Sequence, residues 1–221
     1  MKSVETENDM SIYRAKDLMD KFGLNCLTLH AATLSVKDEI EVHRAVYYGK
    51  ISADFACKLS APIMVVHSNV SRKLPKEQRM RLATKIFKEI KPYAESLGLK
   101  LALENLSYAS GSFGKNIYEL KEIYSIEDNE TMGFTLDFWH ATATGVCESL
   151  LEEFHERLLN VHLSNRAHKP FLNAEPGLLQ LISDLKRFGC DAPMTLELNR
   201  KCTFEEISTT KKIVESAMGN L

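Results

Sequence analysis

Seven short apolar runs bounded by turn residues alternate along this chain with longer segments of helical period, and that alternation confines the fold to the α/β class. The runs are SVETEND (3–9), NCLTLHAA (25–32), PIMVVHSN (62–69), KLALENLS (100–107), GFTLDFWHA (133–141), LLNVHLSN (158–165) and PMTLELN (193–199). Each reads as a buried strand. Helical segments are expected at about 11–22, 36–60, 75–97, 116–126, 147–156, 175–188 and 204–218. Gly23, Gly98 and Gly189 fall just after helical segments, where a positive φ is wanted. Pro75 opens a helix, and Thr203 with Glu206 makes a capping box for the last one. No linker or composition shift divides residues 1–221, so one domain is expected.

Such an alternation suits an open doubly wound sheet or a (β/α) barrel. Neither GxGxxG nor GxxxxGK is present, which disfavours the nucleotide-binding sheets. Polar residues gather instead at the C-terminal ends of nearly every run, where a barrel assembles its site. FGLNCLTLH and LGLKLALEN also share one plan, which suggests an internal repeat. The expectation is a TIM-type (β/α) barrel with seven recognisable strands, one short of eight, lacking the usual first strand and helix. Its open edges would need cover, and a homodimer is one way to supply it.

The 221 residues are 44% hydrophobic and 26% charged, which excludes a disordered or collagen-like chain. A net charge of −2 and a pI near 6.4 disfavour a nucleic-acid partner. No run approaches the roughly 18 apolar residues of a membrane helix, and MKSVETENDM has no signal-peptide character, so the expected compartment is the cytoplasm. Five cysteines without CxxC spacing (Cys26, Cys57, Cys147, Cys190, Cys202) argue against a disulfide framework or zinc knot. Cys26 is expected to pack as a small hydrophobe.

The strand ends offer, in order, Glu5 and Glu7, His30, His67, Glu104, Asp137 with His140, His162 with His168, and Glu197. His43 and His155 fall inside helical segments and read as surface or packing residues. One polar residue at a strand end is ordinarily structural. Four successive strands ending in Glu, Asp, His and Glu are different, because three buried carboxylates repel one another unless a cation sits among them. Oxygen ligands with one imidazole suit manganese, zinc, magnesium or cobalt, and the further histidines favour zinc or manganese.

LALEN, TLDFWHA with its DxxH spacing, NVHLSN and TLELN, in this order, resemble the xylose-isomerase-like barrel superfamily, which holds sugar isomerases and epimerases, sugar dehydratases and endonucleases of the endonuclease IV type. The resemblance implies that Glu104, Asp137, His162 and Glu197 hold one divalent metal. It implies that His30, His67, His140 and His168 contact substrate or a further metal. It also implies a sugar or sugar phosphate whose carbonyl chelates the metal while Glu104 and Glu197 move a proton through an enediolate. Trp139 would line a small-molecule pocket. In many such epimerases an arginine follows the metal histidine and grips the substrate; Arg166 is near, but His168 aligns closer to that position. Lys169 and Arg200 are further cations able to meet a phosphate.

A second reading is a zinc-dependent phosphodiesterase acting at abasic DNA. The eight residues match that ligand set except for one aspartate, replaced by Arg166, and a cation there weakens a third zinc site. A third reading is a catalytically impaired barrel with a binding role.

Overall fold

The computed structural model describes residues 4–127 and 129–219. It divides into two compact units, Met1–Leu101 and Ala102–Leu221.

In the first unit, helix α1 (Val4–Phe22) leads to strand β1 (Thr28–His30), helix α2 (Glu39–Lys58), strand β2 (Ile63–Val66) and helix α3 (Lys76–Ser96). β1 and β2 pair in parallel with Thr28 opposite Ile63. Helix α2 starts at Asp38, whose carboxylate accepts the Glu41 N–H at 3.0 Å, satisfying an otherwise unpaired donor of the first turn. Small residues line the buried face of α2 (Ala45, Gly49, Ala53, Ala56), and a Cβ at Gly49 would run into the Ile90 side chain of α3. The two helices therefore approach more closely there than any larger residue permits.

The second unit begins within strand β3 (Lys100–Glu104) and continues through helix α4 (Ile117–Tyr124), strand β4 (Gly133–Asp137), helices α5 (Phe138–Thr144) and α6 (Cys147–Phe154), strand β5 (Leu158–Leu163), helix α7 (Pro176–Arg187), strand β6 (Met194–Leu196) and helix α8 (Phe204–Gly219). β3, β4, β5 and β6 are parallel neighbours in that order, with Glu104 opposite Thr135, Asp137 opposite His162 and His162 opposite Thr195. Alternation along a strand sorts its residues onto two faces. Phe134 and Leu136, like Val161 and Leu163, are fully buried, and the Phe134 ring lies 5.2 Å from Phe154 of α6. The opposite face carries Thr135 and Asp137 on β4, and Asn160 and His162 on β5, all buried.

Of the seven α-helices between residues 39 and 219, six fall where the periodicity places them, and α5 does not. Gly23, Gly98 and Gly189 adopt φ of 62°, 77° and 65°, as helix-terminating glycines should. The capping box is closed on both sides: Thr203 N–H donates to Glu206 Oε2 at 2.7 Å, and Glu206 N–H to Thr203 Oγ1 at 3.2 Å. Thr203→Ala is expected to cost about 0.5–2 kcal/mol in urea unfolding by removing one of these two partners.

Two expectations are corrected. The run at 3–9 is not a strand: Ser3 lies outside the described residues, and from Val4 onward the chain is helical, joining the segment at 11–22 into one helix. No Gly or Pro interrupts 4–22, and a single Val among polar residues gives a buried strand nothing to bury. Glu5 and Glu7 thus stand in a helix rather than at a strand end. The described residues consequently hold six strands, not seven. The run at 133–141 is also divided, since β4 stops at Asp137 and Phe138–Thr144 is helix α5. Among the described residues, no helix is long and apolar enough to cross a membrane.

Candidate metal centre

The C-terminal ends of β3 to β6 bring four side chains together: Glu104 ends β3, Asp137 ends β4, His162 lies one residue before the end of β5, and Glu197 follows β6 directly. One potential ligand atom from each lies within 4.8 Å of all the others. His162 Nδ1 is 3.5 Å from Glu104 Oε2 and 3.3 Å from Glu197 Oε2. Glu104 and Asp137 are 1% and 0% exposed, so two of the three carboxylates are withdrawn from water altogether.

The electrostatics follow from that burial. Asp137 is pushed up to about 9, first by burial, then by the Glu197 carboxyl with which it can share a proton, and by the charge on Glu104. Glu197, against its own burial, is held down at about 2 by His162 and Asp137. Burial opposes charge on His162 too, but Glu104 and Glu197 raise it to about 10. Protons on Asp137 and His162 thus supply the positive charge that the cluster demands. Asp137 Oδ2 is buried and meets no N–H or hydroxyl donor, which leaves the Glu197 carboxyl as the group that can share its proton. Three oxygen donors and one imidazole around a common point fit a small divalent ion, which would replace those protons.

Two further histidines border the cluster. His140, on the first turn of α5, has Nδ1 3.5 Å from Asp137 Oδ1 and 3.7 Å from Glu104 Oε1. Burial holds its imidazole below the usual histidine range despite the Glu104 charge. His168 lies across from it, ring centroids 5.4 Å apart and edge to face, with Nδ1 3.7 Å from Glu197 Oε2. His168 sits in a tight turn, where Ala167 and His168 take φ of 58° and 55°. Such backbone costs about 1–3 kcal/mol per residue unless its surroundings enforce it. Here the Asn165 N–H donates to Lys169 C=O at 2.9 Å and the Asn199 N–H to His168 C=O at 2.7 Å, tying the turn to the segment after β6.

Trp139 is half-buried on α5, and Arg166 is exposed on the turn that carries His168. His30 and His67, at the ends of β1 and β2 in the first unit, meet edge to face with centroids 4.8 Å apart. His43 is exposed on α2, while His155 stacks on Phe188 at 4.8 Å. All five cysteines are free thiols.

No spacing or motif singles out Asn105 or Ser164, although both lie inside the runs LALEN and HLSN. Asn105 binds the backbone of Asp137 through its carboxamide, and Ser164 Oγ lies 3.4 Å from His168 Nδ1. Their signal was only that each is a small polar residue directly after a strand-end ligand or beside one.

The chain belongs to the xylose isomerase-like TIM barrel family, whose family model matches residues 3–218. Its fold is accordingly of the TIM type, with six of the eight strands of such a barrel among the described residues. It is similar to the structure of a D-tagatose 3-epimerase-like protein, with a TM-score of 0.83 and 20% sequence identity, covering 95% of this chain and 82% of that one. It is similar also to the IolI protein with a zinc atom bound, at a TM-score of 0.76 and 22% identity, covering 98% of this chain and 84% of that one. The C-glycoside deglycosidase alpha subunit of Arthrobacter globiformis is 28% identical over 153 residues, which is 68% of this chain and 38% of that subunit. The chain spans about half or less of the length of the curated relatives it matches, 52% and 38%.

Proposed function

We propose that the chain is a divalent-metal-dependent isomerase or epimerase of a sugar or sugar phosphate, moving a proton beside a carbonyl. The observation that carries this reading is the donor set itself: three carboxylates and an imidazole within 4.8 Å at the ends of parallel strands. Solved neighbours of the same fold, named as epimerases or holding zinc, support it. The ion, manganese or zinc in preference to magnesium or cobalt, would be held by Glu104, Asp137, His162 and Glu197 and would supply Lewis-acid polarisation of the substrate carbonyl.

The remaining chemistry belongs to side chains. Glu104 ends the first and Glu197 follows the last of the four neighbouring strands, so they reach a bound sugar from opposite ends of the strand row. One, as the carboxylate, removes a proton from the carbon beside the carbonyl; the other, entering the step protonated, delivers its own proton to the opposite face, which inverts that carbon and leaves the two groups with exchanged protonation. Return to the adjacent carbon would instead exchange aldose and ketose. His140, kept neutral by burial, and His168 orient hydroxyl groups, with Trp139 and Arg166 as further substrate contacts. His30 and His67, within the first unit, form an imidazole pair suited to hydroxyl oxygens or to a metal ion.

The testing experiment incubates metal-loaded protein with a panel of ketoses and ketose phosphates in deuterium oxide. Deuterium entering the carbon beside the carbonyl is the expected result, by NMR. No exchange with any of them, together with zinc-dependent cleavage of an abasic duplex, would replace this reading with the phosphodiesterase one.

Protons and metal compete for the same atoms. Because Asp137 and His162 are both raised above neutrality, both carry protons at pH 7 in the metal-free site, and loading expels them. Metal affinity, measured by competition with a chromophoric chelator, should therefore rise at least about tenfold per pH unit from 6 to 8. An affinity independent of pH would contradict the ligand assignment.

A further inference from the structure

We infer that Asn105 is a positioning residue of the proposed metal centre, setting which oxygen of Asp137 faces the cation and which nitrogen of His140 faces the substrate. The inference rests on the metal-centre reading above. Asn105 follows Glu104 directly and is 1% exposed. Its Oδ1 accepts the Asp137 N–H at 2.8 Å, and its Nδ2 donates to the Asp137 C=O at 3.1 Å. Two bonds of opposite sense to one residue fix the peptide planes on both sides of Asp137, at the point where β4 gives way to α5.

The consequence reaches the carboxylate. With its backbone held, Asp137 caps α5, and its Oδ1 accepts the His140 N–H at 2.7 Å. That oxygen is committed. Oδ2, buried and meeting no N–H or hydroxyl donor, is the oxygen left for a cation.

The main chain of Asn105 acts on His140. His140 Nδ1 lies 3.1 Å from the Asn105 C=O, and a carbonyl can only accept, so Nδ1 carries the proton of the neutral ring. Nε2 is then the lone-pair nitrogen, able to accept from a substrate hydroxyl or to bind a metal. A third contact of one buried residue thus fixes the second member of the DxxH pair.

No common substitute reproduces this pattern. Aspartate has no N–H for the Asp137 carbonyl and sets oxygen against oxygen, leucine fills the volume with neither bond, and glutamine places its carboxamide one methylene too far.

The test compares wild type with Asn105→Asp and Asn105→Leu, using zinc and manganese alone as ligands. Three quantities are read: metal affinity by chelator competition, the melting temperature of the metal-free protein, and the His140 tautomer in the metal-free protein by long-range proton–nitrogen NMR. Wild type should show a protonated Nδ1. Both variants should bind metal about 10–100-fold more weakly, while His140, whose partner is the main-chain carbonyl at position 105, keeps its tautomer. A lowered melting temperature with metal affinity unchanged would make Asn105 merely structural and overturn the inference. If neither variant folds, Asn105→Ser carries the same readouts, and a wild-type His140 protonated on Nε2 overturns the inference without any variant. A wild type that binds no divalent metal would sink the metal-centre reading instead, while the tautomer result would still judge the contact to His140.

Discussion

Glu104→Gln and Glu197→Gln are each expected to lower turnover by about 10²–10⁴-fold, the range that a positioned acid or base contributes, and to weaken metal binding in parallel. The amide keeps the shape of the carboxylate but cannot take up a proton and is a poor ligand. The fold should survive. Glu104 is 1% exposed, and its charge both repels the equally buried Asp137 and attracts the protonated His162, so the amide removes a repulsion and an attraction together. Metal-free Glu104→Gln should accordingly melt close to metal-free wild type, and it should gain less on adding metal. A variant that keeps full metal occupancy and full deuterium exchange would show that Glu104 serves neither as ligand nor as base.

The largest effect on stability is expected at the opposite face of β4. Phe134 is fully buried, with its ring 5.2 Å from Phe154. Phe134→Ala removes that contact and leaves a cavity, because α6 and β4 cannot both move inward. The cost should be about 3–5 kcal/mol. For a chain of this length that is a fall of roughly 6–20 °C in melting temperature. An unchanged urea midpoint would mean that β4 is not packed as described.

Much of this arrangement was legible in the sequence because it depends on local pattern. Apolar runs ending in Glu104, Asp137, His162 and Glu197 alternate faces with a period of two, so the run itself says which end is polar. The helices from Glu39 onward, α5 apart, were legible through their period, and Thr203 with Glu206 through their spacing. The N-terminal strand was misread because VETE alternates over a few residues, a period too short to outweigh the uninterrupted helical stretch that continues to Phe22. Helix α5 was missed because Phe138, Trp139 and His140 look like more strand, whereas Asp137 caps a turn there, which only its bond to the His140 N–H reveals. Asn105 and the strained His168 turn depend on partners 29–35 residues away, Asp137, His140 and Glu197, and no local pattern encodes such contacts.

The central claim is that these four residues hold a metal ion, and its most direct measurement is the divalent metal content per chain of protein purified without added metal or chelator, by elemental mass spectrometry, for wild type and Glu104→Gln side by side. The account predicts close to one manganese or zinc ion per wild-type chain and a much lower content in the variant. Two or three zinc ions per chain would favour the phosphodiesterase reading. No metal in wild type, with none taken up on dialysis against either ion, would contradict the account.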